Sequence, residues 1–484
     1  MRKWLPLVAI CLGAFILLVD VTIVNVALPR MADDLDASFA SLQWVIDIYA
    51  LALAALLMVT GSLADLFGHR RLYVLGLGVF ALASLACALA PNAAALITAR
   101  AVQGVGGAAM FATSAALVSA TYHGRDRGTA FGVWGAVNGA AAAAGPIVGG
   151  LLTQGFGWQA IFLVNLPIAL AAILLSLRAL PVGSAARTAA GTGARLDLPG
   201  AVTFTLAAAA VTYALIRGGE HGWSDGLAVG AFVVAALAAV GFVAVEARSA
   251  HPMLDLALLR RPSFAGLLTG ALLYQLAAFS GLVFVSLWLQ NILHLSPVRG
   301  GLALMPLAGT AFVAAAVAGR HMHRFPPRVP IGGGLLLIAA GSLLLWATVH
   351  PGSGQTSLFA GLAVTGVGVG LATPVMVSAA VEAVPPRQAG MAGAAINTFR
   401  QLGMTLGIAL FGAVFTARLR DVTSAGGTIH AAYAAGIDRI SLFAALAAAL
   451  GGTLVLTTLH RTPRNSPDPH PPSPTPTPEQ SATH

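Results

Sequence analysis

Charge is what this sequence has least of. Only 9% of its 484 residues are Asp, Glu, Lys or Arg and 57% are apolar, whereas soluble domains carry about 25% charged residues. No segment outside the apolar runs is long enough to bury a core of its own, so an ordinary soluble protein is excluded. Lysine is nearly missing, with Lys3 standing alone beside 25 arginines. The net charge of +9 is scattered in ones to threes between apolar runs; it forms no basic face, which argues against nucleic acid as a partner. Cysteine is scarce too, and Cys11 and Cys87 both fall inside apolar runs, where a buried thiol is expected and a disulfide framework is not. There is no GxxxxGK[ST] phosphate loop, HExxH, GxSxG or CxxC, and none of the 12 histidines stands in the middle of an apolar run. ATP hydrolysis, metalloenzyme, hydrolase and redox chemistry therefore have no residues to carry them. No catalytic residue, metal or cofactor is expected.

What the chain has in abundance is apolar stretches of about 20 residues, the length of helix that crosses a bilayer's hydrocarbon core. Mean hydropathy is +0.84 over the whole length. Fourteen spans are predicted, at 5–28, 44–64, 72–90, 96–120, 129–152, 158–177, 198–216, 227–245, 264–289, 300–318, 329–349, 358–380, 389–416 and 437–459. Sorting Lys and Arg by this map puts 18 in loops on the side of the amino terminus, 6 on the other side and 2, Arg100 and Arg400, within spans. Cytoplasmic loops hold the excess of positive charge, so both termini are expected in the cytoplasm and the protein in the cytoplasmic membrane. The amino terminus has no small-residue cleavage site and is expected to remain as the first helix.

The spacing divides the chain into an all-α bundle of six helices over 1–178, a linker with two additional helices over 179–263, a second six-helix bundle over 264–459, and a proline-rich polar tail over 460–484 that is expected to be disordered. GSLADLFGHRR at 61–71 has a weak echo in AGRHMHRFPPR at 318–328, as duplicated halves would show, but the second copy lacks the acid.

Polar groups in the spans are the candidate functional residues, because the bilayer makes each of them expensive. Asp20 lies mid-span, where an ionised carboxylate costs about 3 kcal/mol on the insertion scale. It needs a partner or a water-filled cavity; the two readings are proton coupling or cation handling, and a structural hydrogen bond to Thr22, Asn25 or a neighbouring helix. Asp47 stands about one turn into the second span, close enough to the outer interface for water to reach it. Arg100 cannot lose its charge, so it faces an acid, a cavity or carbonyls, or else snorkels to the interface. A coupled pair with Asp20 is physically sensible. Arg400, beside Asn397 and Gln401, either binds an anionic group or braces the second half. Gly145, Pro146, Gly149 and Gly150 in the fifth span permit close helix contact and a bend, and Gln103, Gly104, Gly106 and Gly107 pose the same possibility in the fourth. Asp65, Gly68, Arg70 and Arg71 crowd a short loop, where the acid caps a helix or pairs with the basic cluster to brace one conformation. Asn25, Tyr49, Tyr274, Gln275, Phe279, Trp288 and Gln290 would supply amide and aromatic surface to a substrate cavity, or else pack against core or lipid.

These motifs resemble those of the major facilitator superfamily, in its 14-helix drug/proton antiporter branch. LVDVTIVNVALP at 18–29 is similar to the first-helix motif of that branch, GSLADLFGHRR at 61–71 to the loop between helices two and three, RAVQGVGGA at 100–108 to the helix-four motif, GPIVGG at 145–150 to the antiporter motif, and NTFRQLGMTLG at 397–407 to a late-helix segment. The resemblance implies two six-helix bundles around a cavity that opens alternately to either side, with export of hydrophobic or cationic drugs driven by the proton gradient. It makes Asp20 the proton-coupling candidate with Arg100 as modulator, Asp65 and Arg70 latch residues, and Gly145 and Pro146 part of the antiporter helix. Leu66, at a position often basic in the loop motif, departs from the pattern, and Asp47 is an addition that leaves room for a second protonation site. The partners implied are protons, a small-molecule substrate and the lipid bilayer; nothing in the sequence sets an oligomeric state, and a monomer is sufficient for the scheme. Two rivals stand beside export: proton-coupled uptake of a metabolite or osmolyte, and a receptor or structural membrane protein without transport.

Overall fold

The computed structural model describes residues 2–122, 124–180, 197–249, 252, 254–321, 325–384 and 389–459. Within a bilayer each backbone N–H and C=O has to find its partner inside the chain, and uninterrupted helix provides this. The described residues form an all-α protein with no strand among them. In chain order the helices are α1 (Leu5–Leu35), α2 (Phe39–Phe67), α3 (His69–Ala88), α4 (Ala93–Thr121), α5 (Gly124–Phe156), α6 (Ala160–Leu163), α7 (Asn165–Ala179), α8 (Leu198–His221), α9 (Gly226–Glu246), α10 (Leu256–Leu259), α11 (Pro262–Phe279), α12 (Leu282–Leu287), α13 (Pro297–Ala303), α14 (Met305–His321), α15 (Arg328–Thr348), α16 (Phe359–Glu382), α17 (Ala389–Ser424) and α18 (Ile429–Thr458). Among the described residues twelve helices are long and apolar enough to cross a membrane, and α13 with α14, bent by 41°, makes a thirteenth if the pair is one span. The 33 residues of α5 lie between the fourth and the sixth apolar runs. The polar tail from 460 and the linker segment 181–196 lie outside the described residues.

Local chemistry sets the ends of these helices. Ser38, Asn92, Asp197, Asp225 and Thr428 each accept a hydrogen bond from a backbone N–H of the turn they open, satisfying donors that the helix itself cannot. Gly68 sits at φ +94°, where a side chain would be strained, and so ends α2 and starts α3 in a single residue. Several expected spans are broken rather than straight. Residues 158–177 hold two helices, α6 and α7, joined at Val164. Residues 264–289 become α11, α12 and a π-helical turn at Trp288–Ile292.

Helices α2 and α3 pack on α4, while α1 packs on α5 and α7. In the second half α15 and α14 pack on α16, α15 on α18, and α11 on α17 and α18. Across the halves, α2 lies along α17 and α5 lies along α13 and α14. The two linker helices α8 and α9 pack on each other, and α8 also reaches α2 and α17. There Ala40, Ile216 and Ala409 form a small apolar cluster, and the guanidinium of Arg420 donates to the carbonyl of Glu220 at 2.5 Å.

Candidate functional site: a buried acid network and two unpaired charges

Asp20 and Arg100 meet in the middle of the first half. Both are enclosed, with 0% and 1% of their surfaces exposed. An Arg100 Nη donates to Asp20 Oδ2 at 2.5 Å and to Gln103 Oε1 at 2.7 Å, and Arg100 Nε donates to the carbonyl of Val45 at 3.0 Å. Gln103 Nε2 in turn donates to Asp20 Oδ1 and to Ser84 Oγ, each at 2.9 Å. Asn165 Nδ2 adds a donor to Asp20 Oδ1 at 3.2 Å and to Ser84 Oγ at 3.3 Å. The ring of Tyr49 lies under the guanidinium at 4.1 Å and that of Phe162 at 5.8 Å. A buried ion pair stabilises only when its remaining hydrogen-bonding capacity is met, and α1, α2, α3, α4 and α7 converge here to meet it. The snorkelling alternative for Arg100 is thereby excluded.

Sequence reasoning found the two charges because the bilayer penalises them, and missed Ser84 and Asn165. Neutral polar residues within spans are cheap and common, so nothing in the sequence marks these two out. Gln103 was singled out only as a neighbour of glycines. Its i+3 offset from Arg100 on α4 puts it on the same helix face, which is the signal that could have found it.

Asp47 corrects an expectation. It is 0% exposed, so water does not reach it in this conformation, and neither carboxylate oxygen has a hydrogen-bond partner. One turn away on α2, Gln43 Nε2 donates across the halves to the carbonyl of Ile408 on α17 at 3.2 Å. In the second half, Arg400 is half-buried on α17. Its guanidinium lies 5.6 Å from the ring of Tyr274, and among the described residues its one polar contact is a long 3.5 Å approach to Asn397 of its own helix.

The expected glycines seat α5 on two neighbours, Gly145 and Gly149 against α1 of its own half and Gly150 against α13 of the other. A Cβ on Gly149 would lie 2.9 Å from the carbonyl oxygen of Ile23 in α1, and one on Gly150 would lie 2.6 Å from the carbonyl oxygen of Pro297. Gly145 abuts Thr22, and Gly301 of α13 abuts the carbonyl of Pro146. Close by, Ser286 Oγ donates to the carbonyl of Asn25 and Gln290 Nε2 to that of Val26, each at 2.9 Å.

The other expected residues divide by burial. Tyr49, Tyr274, Gln275 and Trp288 are enclosed; the Tyr274 hydroxyl bonds Thr373 at 2.6 Å and Gln275 Nε2 approaches Met404 Sδ at 3.8 Å. Asn397 and Arg400 stay half-buried. None of these lines the apolar cavity of about 450 Å³ between α1 and α5, whose walls are Trp4, Leu7, Val8, Cys11, Leu12, Phe15, Thr129, Val133 and Val137. In the short loop, Arg70 donates to the carbonyl of Leu177 at 2.5 Å and Arg71 is exposed, while the side chain of Asp65 lies outside the described residues.

A family model for the Major Facilitator Superfamily matches residues 10–408. The chain belongs to the Major Facilitator Superfamily. Among relatives in this superfamily it is 37% identical to the multidrug resistance protein Stp of Mycobacterium tuberculosis, over 86% of this chain and 76% of that one. It is 38% identical to the tetracenomycin C resistance and export protein of Streptomyces glaucescens, over 87% and 77%. The puromycin resistance protein pur8 of Streptomyces alboniger is 38% identical over 89% and 85%. As a superfamily member with long apolar helices, the chain is a multi-pass membrane transport protein and not an enzyme.

Proposed function

We propose that the chain is a proton-coupled antiporter that exports hydrophobic or cationic drugs and related small molecules by alternating access. Its relatives are named for resistance to drugs or antibiotics, and one of them for export as well. The observation that carries proton coupling is the enclosed network around Asp20, where one ionisable acid is held against an arginine by donors from two further residues. Protonating that acid removes half of the ion pair and frees Arg100, Gln103 and Asn165 to rearrange. A chemical event is thus converted into a change in how α1, α3, α4 and α7 pack. Asp47, enclosed without partners, is a second proton-binding candidate.

In this reading the protein has 14 spans: the 12 apolar helices, the bent pair and α5. The spans at 1–178 and 264–459 are two six-helix bundles, α8 and α9 are additional helices, and both termini are cytoplasmic, as the distribution of arginine favours. The loop of Asp65, Gly68, Arg70 and Arg71 serves as the latch, and Gly145, Pro146, Gly149 and Gly150 pack the antiporter helix, Gly145 and Gly149 on α1 and Pro146 and Gly150 on the other half. Each proton moving inward through 100 mV, negative inside, releases about 2.3 kcal/mol, which supports about fiftyfold outward accumulation of a neutral substrate.

The test is proton flux in proteoliposomes on addition of dyes, quaternary ammonium ions or hydrophobic antibiotics, comparing the native protein with Asp20→Asn at matched thermal stability. Substrate-dependent flux that the substitution abolishes is the expected result. Flux that survives it would remove Asp20 from the coupling path, and no flux in the native protein would count against antiport itself.

A further inference from the structure

Arg100 and Arg400 both lie in apolar helices of this chain, and their surroundings differ. Arg100 has a carboxylate, an amide oxygen and a backbone carbonyl for its guanidinium. Arg400 has none of these at good distance. Its Nε is buried without a hydrogen-bond partner, and among the described residues no acid pairs with it. The 3.5 Å contact to Asn397 Oδ1 is at the outer limit of a hydrogen bond, and Asn397 spends its own amide on the carbonyl of Gly393 at 3.0 Å. An arginine that merely braced the second half would bond carbonyls of the helices it ties together, as Arg100 does with Val45. Arg400 makes no such bond. Below it lies an aromatic floor, the Tyr274 ring, whose hydroxyl is fixed by Thr373. Gln275 reaches Met404, one turn along α17 from Arg400, and leaves its Oε1 unpartnered. Arg400, Asn397 and Thr373 are half-buried, so the group is not sealed inside the bundle.

We infer that Arg400, over the Tyr274 ring, is a binding site for the anionic group of an amphiphilic substrate, a carboxylate or a comparably acidic enol or phenol attached to an apolar ring system. A guanidinium presents two parallel N–H donors that match a carboxylate, and its charge is permanent, so the site selects for an acid at any pH at which the acid is ionised. The flat, enclosed Tyr274 ring supports the guanidinium from one side. The inference rests on the export reading for its biological meaning and extends that reading's substrate range to organic acids. It has an energetic corollary: a proton moving inward and an anion moving outward both carry positive charge inward, so the membrane potential drives both legs of the exchange.

The experiment measures binding of 9-anthracenecarboxylate and of the uncharged 9-anthracenecarboxamide, which share one ring system, to the full-length protein in nanodiscs by fluorescence titration. The native protein is expected to bind the carboxylate at least tenfold tighter than the amide. Arg400→Gln is expected to erase that preference by weakening the carboxylate alone, with amide affinity reporting that the fold is intact, and Arg400→Lys to keep part of it. Equal affinities in the native protein, absence of carboxylate binding, or a preference that survives in Arg400→Gln would each overturn the assignment. Binding needs no proton gradient, so failure here and failure of the antiport reading, which is read from proton flux, are separate results.

Discussion

At the scale of single residues, the energetics are set by how completely each buried charge is satisfied. Arg100 does three jobs at once: it pairs Asp20, bonds Val45 and covers the Tyr49 ring. A lysine has one charged nitrogen on a flexible stem and cannot hold all three. Arg100→Lys is therefore expected to lower substrate-driven proton flux in proteoliposomes at least tenfold while the protein remains folded. Asn165→Leu tests the outer part of the same network. It removes donors from Asp20 Oδ1 and Ser84, and a buried acceptor left short of a donor costs about 1–3 kcal/mol, which should appear as a lower melting temperature in detergent. Unchanged melting would mean that Gln103 alone satisfies Asp20 Oδ1. Asp20 and Arg100 were legible in the sequence because a lone charge in an apolar run demands an explanation. The depth of Asp47 was not. Its distance from the end of an apolar run suggested contact with water, yet α2 begins at Phe39, and α17 of the other half packs along it. Burial by a segment some 360 residues away, as in the Gln43 to Ile408 bond, leaves no local trace.

At the scale of helices, apolar length located the elements and small residues located their contacts, but the breaks were hidden. Hydropathy averages over a window and is blind to a single missing N–H. The bend of 41° between α13 and α14 falls just ahead of Pro306, which has no N–H to give to the preceding turn. Glycine positions were more informative, since only a missing side chain allows backbones to touch. Gly150 is a case on the seam itself, because a Cβ there would meet the backbone of Pro297 and Val298 at 2.6 Å, and backbone cannot swing aside as a side chain can. Gly150→Val is expected to push α5 off α13 and to cut efflux at least tenfold with little loss of expression. Wild-type efflux would show that this seam does not govern transport. The hairpin of α8 and α9 gives a contrasting prediction. Asp225 pairs with Arg217 at 2.6 Å and accepts from the N–H groups of Ala228 and Leu227, and these partners, Arg217 foremost, hold its carboxyl below the usual carboxylate range. A depressed carboxylate contributes stability above its unfolded pKa, about 3.9, and loses it as pH falls further. The pair is open to solvent, so the effect is small. Asp225→Asn should leave efflux unchanged and lower the melting temperature slightly at pH 7, with the difference fading toward pH 3. A difference that persisted there would assign the role to the helix cap rather than to the charge.

At the scale of the whole molecule, the contacts between the halves gather at one end. Phe39 of α2 lies 6.0 Å from Phe284 and 6.2 Å from Phe415, which are themselves 5.1 Å apart. Gln43 bonds Ile408, Ser286 bonds Asn25 and Gln290 bonds Val26 in the same region, beside the α5 to α13 seam. The apolar cavity opens near the opposite end of α1, among Trp4, Leu7, Val8 and Cys11. On the alternating-access reading, the end where these contacts gather has to part once in each cycle. Helices α2 and α17 form part of that seal, and Gln43 lies directly against Gly412, with its amide carbon 2.6 Å from where a Cβ on the glycine would stand. Cysteines placed at both positions would thus face each other across this contact, as a disulfide with Cβ atoms about 3.8 Å apart requires. The two native cysteines are buried, so they offer little competition. Oxidation of the doubly substituted protein, Gln43→Cys with Gly412→Cys, is expected to stop efflux and a reductant to restore it, while substrate binding measured at equilibrium persists in the oxidised form. Efflux continuing at the native rate with the cross-link complete would mean that α2 and α17 stay together throughout the cycle and that the halves separate along another line.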